Sequence, residues 1–196
     1  MNIGLYFGTF NPIHVGHLII AQHIAQYAPI DKVWLVVTPR NPLKDKESLL
    51  ADYHRLELVR RAIQDNPLLE PCDIEFKLEK PSYTVHTLAY LEDKYPQHRF
   101  SLIMGEDNFR GLHKWKQHEV ILERFPVLVY PRSLPSEEPD QAITLPKSTA
   151  GVQIIDAPLM QISASFIRKS ISRGNDVRYL LTEPVHHYVD EMNFYR

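Results

Sequence analysis

The sequence predicts an α/β fold, a doubly wound parallel sheet with a C-terminal helical segment. Two observations carry that expectation. Short apolar runs alternate with longer stretches of helical periodicity, as right-handed βαβ units require. Several of those runs are apolar at nearly every position, which fits strands covered on both faces.

Taken in order, the strand candidates are NIGLYF (2–7), KVWLVVTP (32–39), CDIEFKL (72–78), RFSLIMG (99–105), PVLVYP (126–131) and VQIIDAP (152–158), all rich in Val, Ile, Phe or Tyr. Between them lie the helix candidates VGHLIIAQHIAQY, ADYHRLELVRRAIQ, TVHTLAYLEDKY and WKQHEVILERF. In the second, Leu56, Leu58, Val59, Ala62 and Ile63 form an apolar stripe, with Arg55, Glu57, Arg60 and Arg61 expected outside it. The polar, Pro- and Ser-rich stretch 131–151 reads as a long surface connection, because another strand follows it. The tail holds two more helices, SASFIRKSISRG and PVHHYVDEMN. No repeat or low-complexity tract interrupts the chain, so residues 1–196 read as a single domain.

Composition narrows the function. The chain is 44% hydrophobic and 23% charged, ordinary values for a globular protein. A net charge of −2 argues against a nucleic-acid coat or a membrane-surface binder, both of which need basic excess. The single cysteine, Cys72, permits no internal disulfide and reads as a structural thiol. The N-terminus has neither the basic nor the long apolar region of a signal peptide. No run approaches the ~20 apolar residues of a spanning helix. A soluble cytoplasmic protein is expected, and a homo-oligomer is compatible with the sequence.

The stretch GTFNPIHVGH (8–17) breaks the first strand with Gly and Pro before helical periodicity resumes. Gly8 and Pro12 suit a tight, rigid turn. Gly16 keeps the helix entrance open, and His14 and His17, three apart, can face one volume there. Free N–H groups and the positive end of the helix dipole complete a candidate polyphosphate site. In an open parallel sheet this position, just past a strand's carboxyl end, is where ligands bind. The alternatives are surface histidines on a turn, or metal ligands. The zinc-protease pattern and a G-x-G-x-x-G fingerprint are both absent. A second candidate is ISASFIRKSI (162–171), where Ser163 and Ser165 suit a helix start and Arg168 faces back toward it.

Together, G-T-F-N-P-I-H-V-G-H and I-S-A-S-F-I-R resemble the paired signatures of the nucleotidyltransferase superfamily. Further stretches are similar to nicotinate mononucleotide adenylyltransferases: PRNPLK (39–44), PSYTVHTL (81–88), GEDNFRGLHKW (105–115) and YLLTEPVHHYV near the end. The resemblance spans essentially the whole chain. It implies a Rossmann-like nucleotidyltransferase fold and adenylyl transfer from ATP to nicotinate mononucleotide, with Mg²⁺ accompanying the ATP and no metal ligands from the protein. It also implies roles. His14 and His17 would bind the ATP phosphates, with Lys44 and Arg168 adding positive charge. Gly8, Thr9 and Phe10 would offer backbone, Asp107 would contact the nucleoside, and Ile162, Ser163 and Ser165 would lie near the ATP.

Ser82, Tyr83 and Thr84 precede a helix whose N–H groups could receive a carboxylate, and Trp115 could stack on an aromatic ring. A pyridine ring bearing a carboxylate would satisfy both. A helix cap and a core tryptophan are the plainer readings of the same residues; for Trp34 the core reading is preferred. Two positions depart from the family pattern: His86 stands where it has Asp, and Thr182 where it has Pro. The rival activities are transfer to nicotinamide mononucleotide or to pantetheine phosphate, cytidylyl transfer, and a non-catalytic nucleotide sensor.

Overall fold

The computed structural model describes residues 1–39, 49–132 and 151–196. Among them, six strands form one sheet: β1 (Asn2–Gly8), β2 (Lys32–Val37), β3 (Leu69–Cys72), β4 (Arg99–Gly105), β5 (Val127–Tyr130) and β6 (Val152–Ile154). Their order is β3-β2-β1-β4-β5-β6, and every pairing is parallel. Winding runs outward from β1 in one direction and from β4 in the other. The switch point therefore falls between β1 and β4, at their carboxyl ends.

Helices cover both faces, and strand alternation feeds two cores. Val33, Leu35 and Val37 of β2 pack with α1 (Val15–Tyr27), α2 (Asp52–Ile63), α6 (Ala164–Ser172) and α7 (Glu183–Glu191), through Ile24, Val59, Ile167 and Val189. Val36, one residue out of phase, joins the opposite core. There it meets α3 (Thr84–Lys94), α4 (Glu106–Arg110) and α5 (His118–Arg124), through Leu88, Phe109 and Ile121. This two-sided burial explains the uninterrupted apolar runs. Trp34 half-buries against the second core, with Tyr95 and Phe100 around its ring.

Several elements depart from the sequence reading. The strand expected over 72–78 ends at Cys72, and Ile74–Lys77 form a 3₁₀ turn. Ile74 and Glu75 are adjacent yet both buried, and a tight turn can bring both inward where strand alternation cannot. The last strand is only Val152–Ile154. The helix expected to begin at Trp115 starts at His118, because Gln117 adopts a left-handed φ of 52°. Arg55, placed outside the apolar stripe, is fully buried within it. Cys72 is half-buried, and burial raises its thiol to about 11, so it carries no thiolate near neutrality. The stretch 131–151 lies mostly outside the described residues.

Candidate active site

The chain leaves β1 through Gly8, Thr9 and Phe10 and enters α1 at His14. The reversal expected of Gly8 is carried instead by Phe10, which sits at a φ of 46° and is 1% exposed. Gly8 serves a different need: a Cβ there would lie 2.8 Å from the Phe10 ring folded over it. Gly16 plays a similar part, since a Cβ would sit 3.1 Å from His14 Nδ1. Both glycines therefore answer to close approach.

His14 caps α1 from an extended conformation, and its backbone N–H donates to His17 Nδ1 at 3.3 Å. The two imidazoles stack, with centroids 3.7 Å apart and planes 27° from parallel. Phe10 and Tyr6 pack edge-on against His17 at 5.1 and 6.1 Å. His14 is buried, and its Nδ1 has no hydrogen-bond partner among the described residues. Burial, helped by the nearby Arg132 guanidinium, lowers its pKa from 6.5 to about 4. It is a neutral imidazole at physiological pH, able to donate one N–H without a counter-charge.

Three side chains from distant parts of the sequence fasten this loop. Arg55, on α2, donates to the carbonyls of Thr9 (2.6 Å), Thr38 (2.7 Å), Pro39 (2.9 Å) and Leu50 (3.0 Å), and pairs with Asp52 (2.6 Å). Arg168, on α6, donates to the Asn11 carbonyl at 2.8 Å and to Ser165 Oγ at 3.3 Å. Tyr195, beyond α7, donates its hydroxyl to Asn11 Oδ1 at 2.8 Å. Ser163 caps α6 by accepting from the Phe166 N–H at 3.2 Å, and Ile162 packs its side chain against the first core.

Across the switch point, the stretch GEDNFRGLHKW begins with the short helix α4. Its Asp107 pairs with Arg132 at 3.0 Å, while the other carboxylate oxygen is buried without a partner among the described residues. Tyr6 and Tyr130 join hydroxyls at 3.1 Å beneath. At the end of β2, the Thr38 N–H donates to the Gly8 carbonyl at 2.9 Å.

Ser82, Tyr83 and Thr84 open α3, with Tyr83 at its N-cap and its carbonyl accepting from the N–H groups of His86 and Thr87. Tyr83 is exposed, and the ammonium of Lys116, next to Trp115, lies 4.5 Å from its ring centroid. The two segments expected to meet a pyridine ring thus adjoin. Trp115 itself is half-buried against the second core. His86 is exposed and sits edge-on to Tyr83 at 5.7 Å. Thr182 occupies the N-cap of α7 with proline following in its first turn.

The structure thus brings His14, His17, Arg168 and Ser165 around one loop and sets Tyr83 against Lys116, the neighbour of Trp115, while Lys44 lies outside the described residues. Sequence reading missed Arg55, Arg132 and Tyr195. For Arg55 a signal existed, because Leu58 and Val59 follow it at i+3 and i+4. Among the described residues, no three His, Cys, Asp or Glu side chains gather as a metal site, and no helix is long and apolar enough to cross a membrane.

A cytidylyltransferase-like family model matches residues 5–170, and the chain belongs to that family of nucleotidyltransferases. Full-length relatives narrow the placement. A protein of Flavobacterium johnsoniae described as "probable nicotinate-nucleotide adenylyltransferase" is 55% identical over 100% of both chains. One of Cytophaga hutchinsonii with the same description is 46% identical, over 100% of this chain and 98% of its own. Within the family the chain falls among the nicotinate-nucleotide adenylyltransferases. In fold, it resembles a Plasmodium falciparum nicotinic acid mononucleotide adenylyltransferase solved with NaAD, at a TM-score of 0.78 and 19% identity over 99% of this chain and 97% of that one.

Proposed function

We infer that this chain joins ATP and nicotinate mononucleotide into nicotinate adenine dinucleotide and pyrophosphate, a step of NAD biosynthesis, using residues 1–196 as one catalytic domain. Full-length similarity to enzymes of that name carries the reading. The stacked His14–His17 pair at the sheet's switch point gives it a physical site.

A phosphate oxygen of the mononucleotide attacks the α-phosphorus of ATP. That P–O bond forms as the bond to the bridging oxygen of the leaving pyrophosphate breaks. The reaction needs alignment and charge stabilisation but no covalent enzyme intermediate. His14 and His17 donate to the ATP phosphates, and the N-terminus of α1 adds its N–H groups and dipole. Arg168, with Lys44, adds positive charge. The unpartnered Asp107 oxygen accepts from the nucleoside, which the backbone of Gly8, Thr9 and Phe10 and the segment Ile162–Ser165 flank. Mg²⁺ bound to the ATP phosphates and water would neutralise part of their charge, without ligands from the protein. The opening of α3 at Ser82, Tyr83 and Thr84 receives the pyridine carboxylate, and Trp115 stacks on the ring.

The test is pyrophosphate release with ATP and Mg²⁺, offering nicotinate mononucleotide, nicotinamide mononucleotide and phosphopantetheine in parallel. A strong preference for the nicotinate substrate is expected. Preference for the amide would keep the chemistry and overturn the pocket assignment; no release with any of the three would overturn the reaction.

A further inference from the structure

The chain ends in an unusual conformation. Two non-glycine residues close to the C-terminus, Asn193 and Tyr195, adopt left-handed φ values of 51° and 65°. Such conformations are unfavourable for residues with side chains and persist where the surroundings over-determine them. Here those surroundings are specific. The Phe194 N–H returns to the Val189 carbonyl at 3.0 Å, and its ring packs edge-on against His54 and Tyr188 at 4.8 and 5.7 Å. Arg196 pairs with Asp190. The tail so folded delivers the Tyr195 hydroxyl to Asn11 Oδ1, 184 residues away in sequence.

Asn11 is 3% exposed and lies within the loop that carries His14. Its Oδ1 accepts from Tyr195 and from the Leu50 N–H at 3.3 Å, while its carbonyl accepts from Arg168. Its neighbour Phe10 packs on the His17 ring. Side-chain oxygen and backbone oxygen of one residue are thus gripped from three elements, on the loop where small displacements matter most to a transition state.

We propose that Tyr195 is a positioning residue for adenylyl transfer: the C-terminal tail latches Asn11 and so holds the loop that carries His14 and packs on His17. This deepens the reading of the previous subsection and rests on it for its catalytic consequence. Oδ1 can only accept, so the latch needs a protonated phenol. Burial raises the Tyr195 pKa against the pull of the Arg168 and Arg55 guanidiniums, which keeps the donor in place.

The test is Tyr195→Phe, which removes the hydroxyl and keeps the ring. We expect kcat to fall roughly tenfold, the scale of one hydrogen bond, with KM for both substrates changed less than about twofold. The melting temperature should move by no more than about 4 °C. Tyr195→Phe on top of Asn11→Ala should cost nothing further, since the hydroxyl acts through Asn11. The equivalent change at Tyr179, 89% exposed, should leave kcat unchanged. A second readout does not depend on turnover: the imidazole NMR signals of His14 and His17 should shift in Tyr195→Phe and stay fixed in Tyr179→Phe. Unmoved imidazole signals would overturn the latch whether or not the enzyme turns over. Wild-type kcat in Tyr195→Phe, or a loss that multiplies with Asn11→Ala, would also overturn the proposal. An inactive wild-type protein with shifted imidazoles would instead count against the assigned reaction and uphold the latch.

Discussion

The loop after β1 and the segment before α3 both open a helix, yet they are held in opposite ways. The first is buried and fastened by side chains 46, 157 and 184 residues away in sequence: Arg55 on Thr9, Arg168 and Tyr195 on Asn11. The second is exposed at Tyr83 and held from close by in sequence: by its own helix, through bonds to His86 and Thr87, and by the buried Glu75, which accepts from Thr87 Oγ1 at 2.8 Å. In the proposed reaction the first faces phosphates whose charge shifts as bonds exchange, and the second only recognises a ring. Stabilising a developing charge demands dipoles fixed before the reaction; recognition tolerates local restraint.

The largest effect expected from breaking this contrast is at Arg55. Arg55→Met removes a fully buried donor for four carbonyls, while Asp52 keeps its second partner, Lys80. Each buried carbonyl left without its donor costs about 1–3 kcal/mol of stability. Urea denaturation measures it, and a loss below about 1 kcal/mol would show that the loop's order comes from elsewhere. His17→Ala tests the same region through its chemistry. Removing one donor to a developing charge typically lowers kcat by about 10²–10³, or ~3–4 kcal/mol. The fold should remain, since the ring packs on neighbours without carrying the core. A near-wild-type kcat would sink the role given to His17.

Burial in the same loop also gives it a pH signature. The His14 pKa falls from 6.5 to about 4 on folding. Between those values the unfolded chain holds a proton that the folded one excludes. Stability is therefore full above about pH 6.5 and declines as the pH falls toward 4, by about 3 kcal/mol in total. Denaturation of wild type and His14→Gln across this window measures it. The variant should lack that part of the decline, and parallel curves would show that His14 titrates alike in both states.

The contrast also explains what could be read in the sequence. Everything legible was local: His14 and His17 sit three apart on one helix turn, Ser163 caps the helix that it begins, and alternation fed strands into a two-sided sheet. What escaped is non-local. Nothing near Tyr195 announces that its hydroxyl will reach Asn11, and Arg132 looked like part of a polar connection until the fold set it against Asp107. Gln117 and Phe10 escaped for another reason: left-handed φ at residues with side chains is set by packing around them, which no propensity scale anticipates. The local geometry of the candidate site was therefore more legible than the scaffold that holds it.

The smallest effect belongs to the open side. Trp115 is half-buried against the second core, and the neighbouring Lys116 spans to Tyr83, so its ring can serve packing, recognition or both. Trp115→Leu keeps apolar volume against the core and removes the stacking face. Aromatic pairing contributes about 0.5–1.5 kcal/mol beyond the area buried, so KM for nicotinate mononucleotide should rise by up to about tenfold. KM for ATP should hold, because the phosphate loop is fixed by Arg55, Arg168 and Tyr195, none of which Trp115 supports. Steady-state kinetics with each substrate varied in turn separates the cases. A rise confined to the mononucleotide assigns the ring to recognition. Loss of stability with both KM values unchanged would make Trp115 a core residue alone, and the second helix entrance would then hold the pyridine by its N–H groups without a stacking partner.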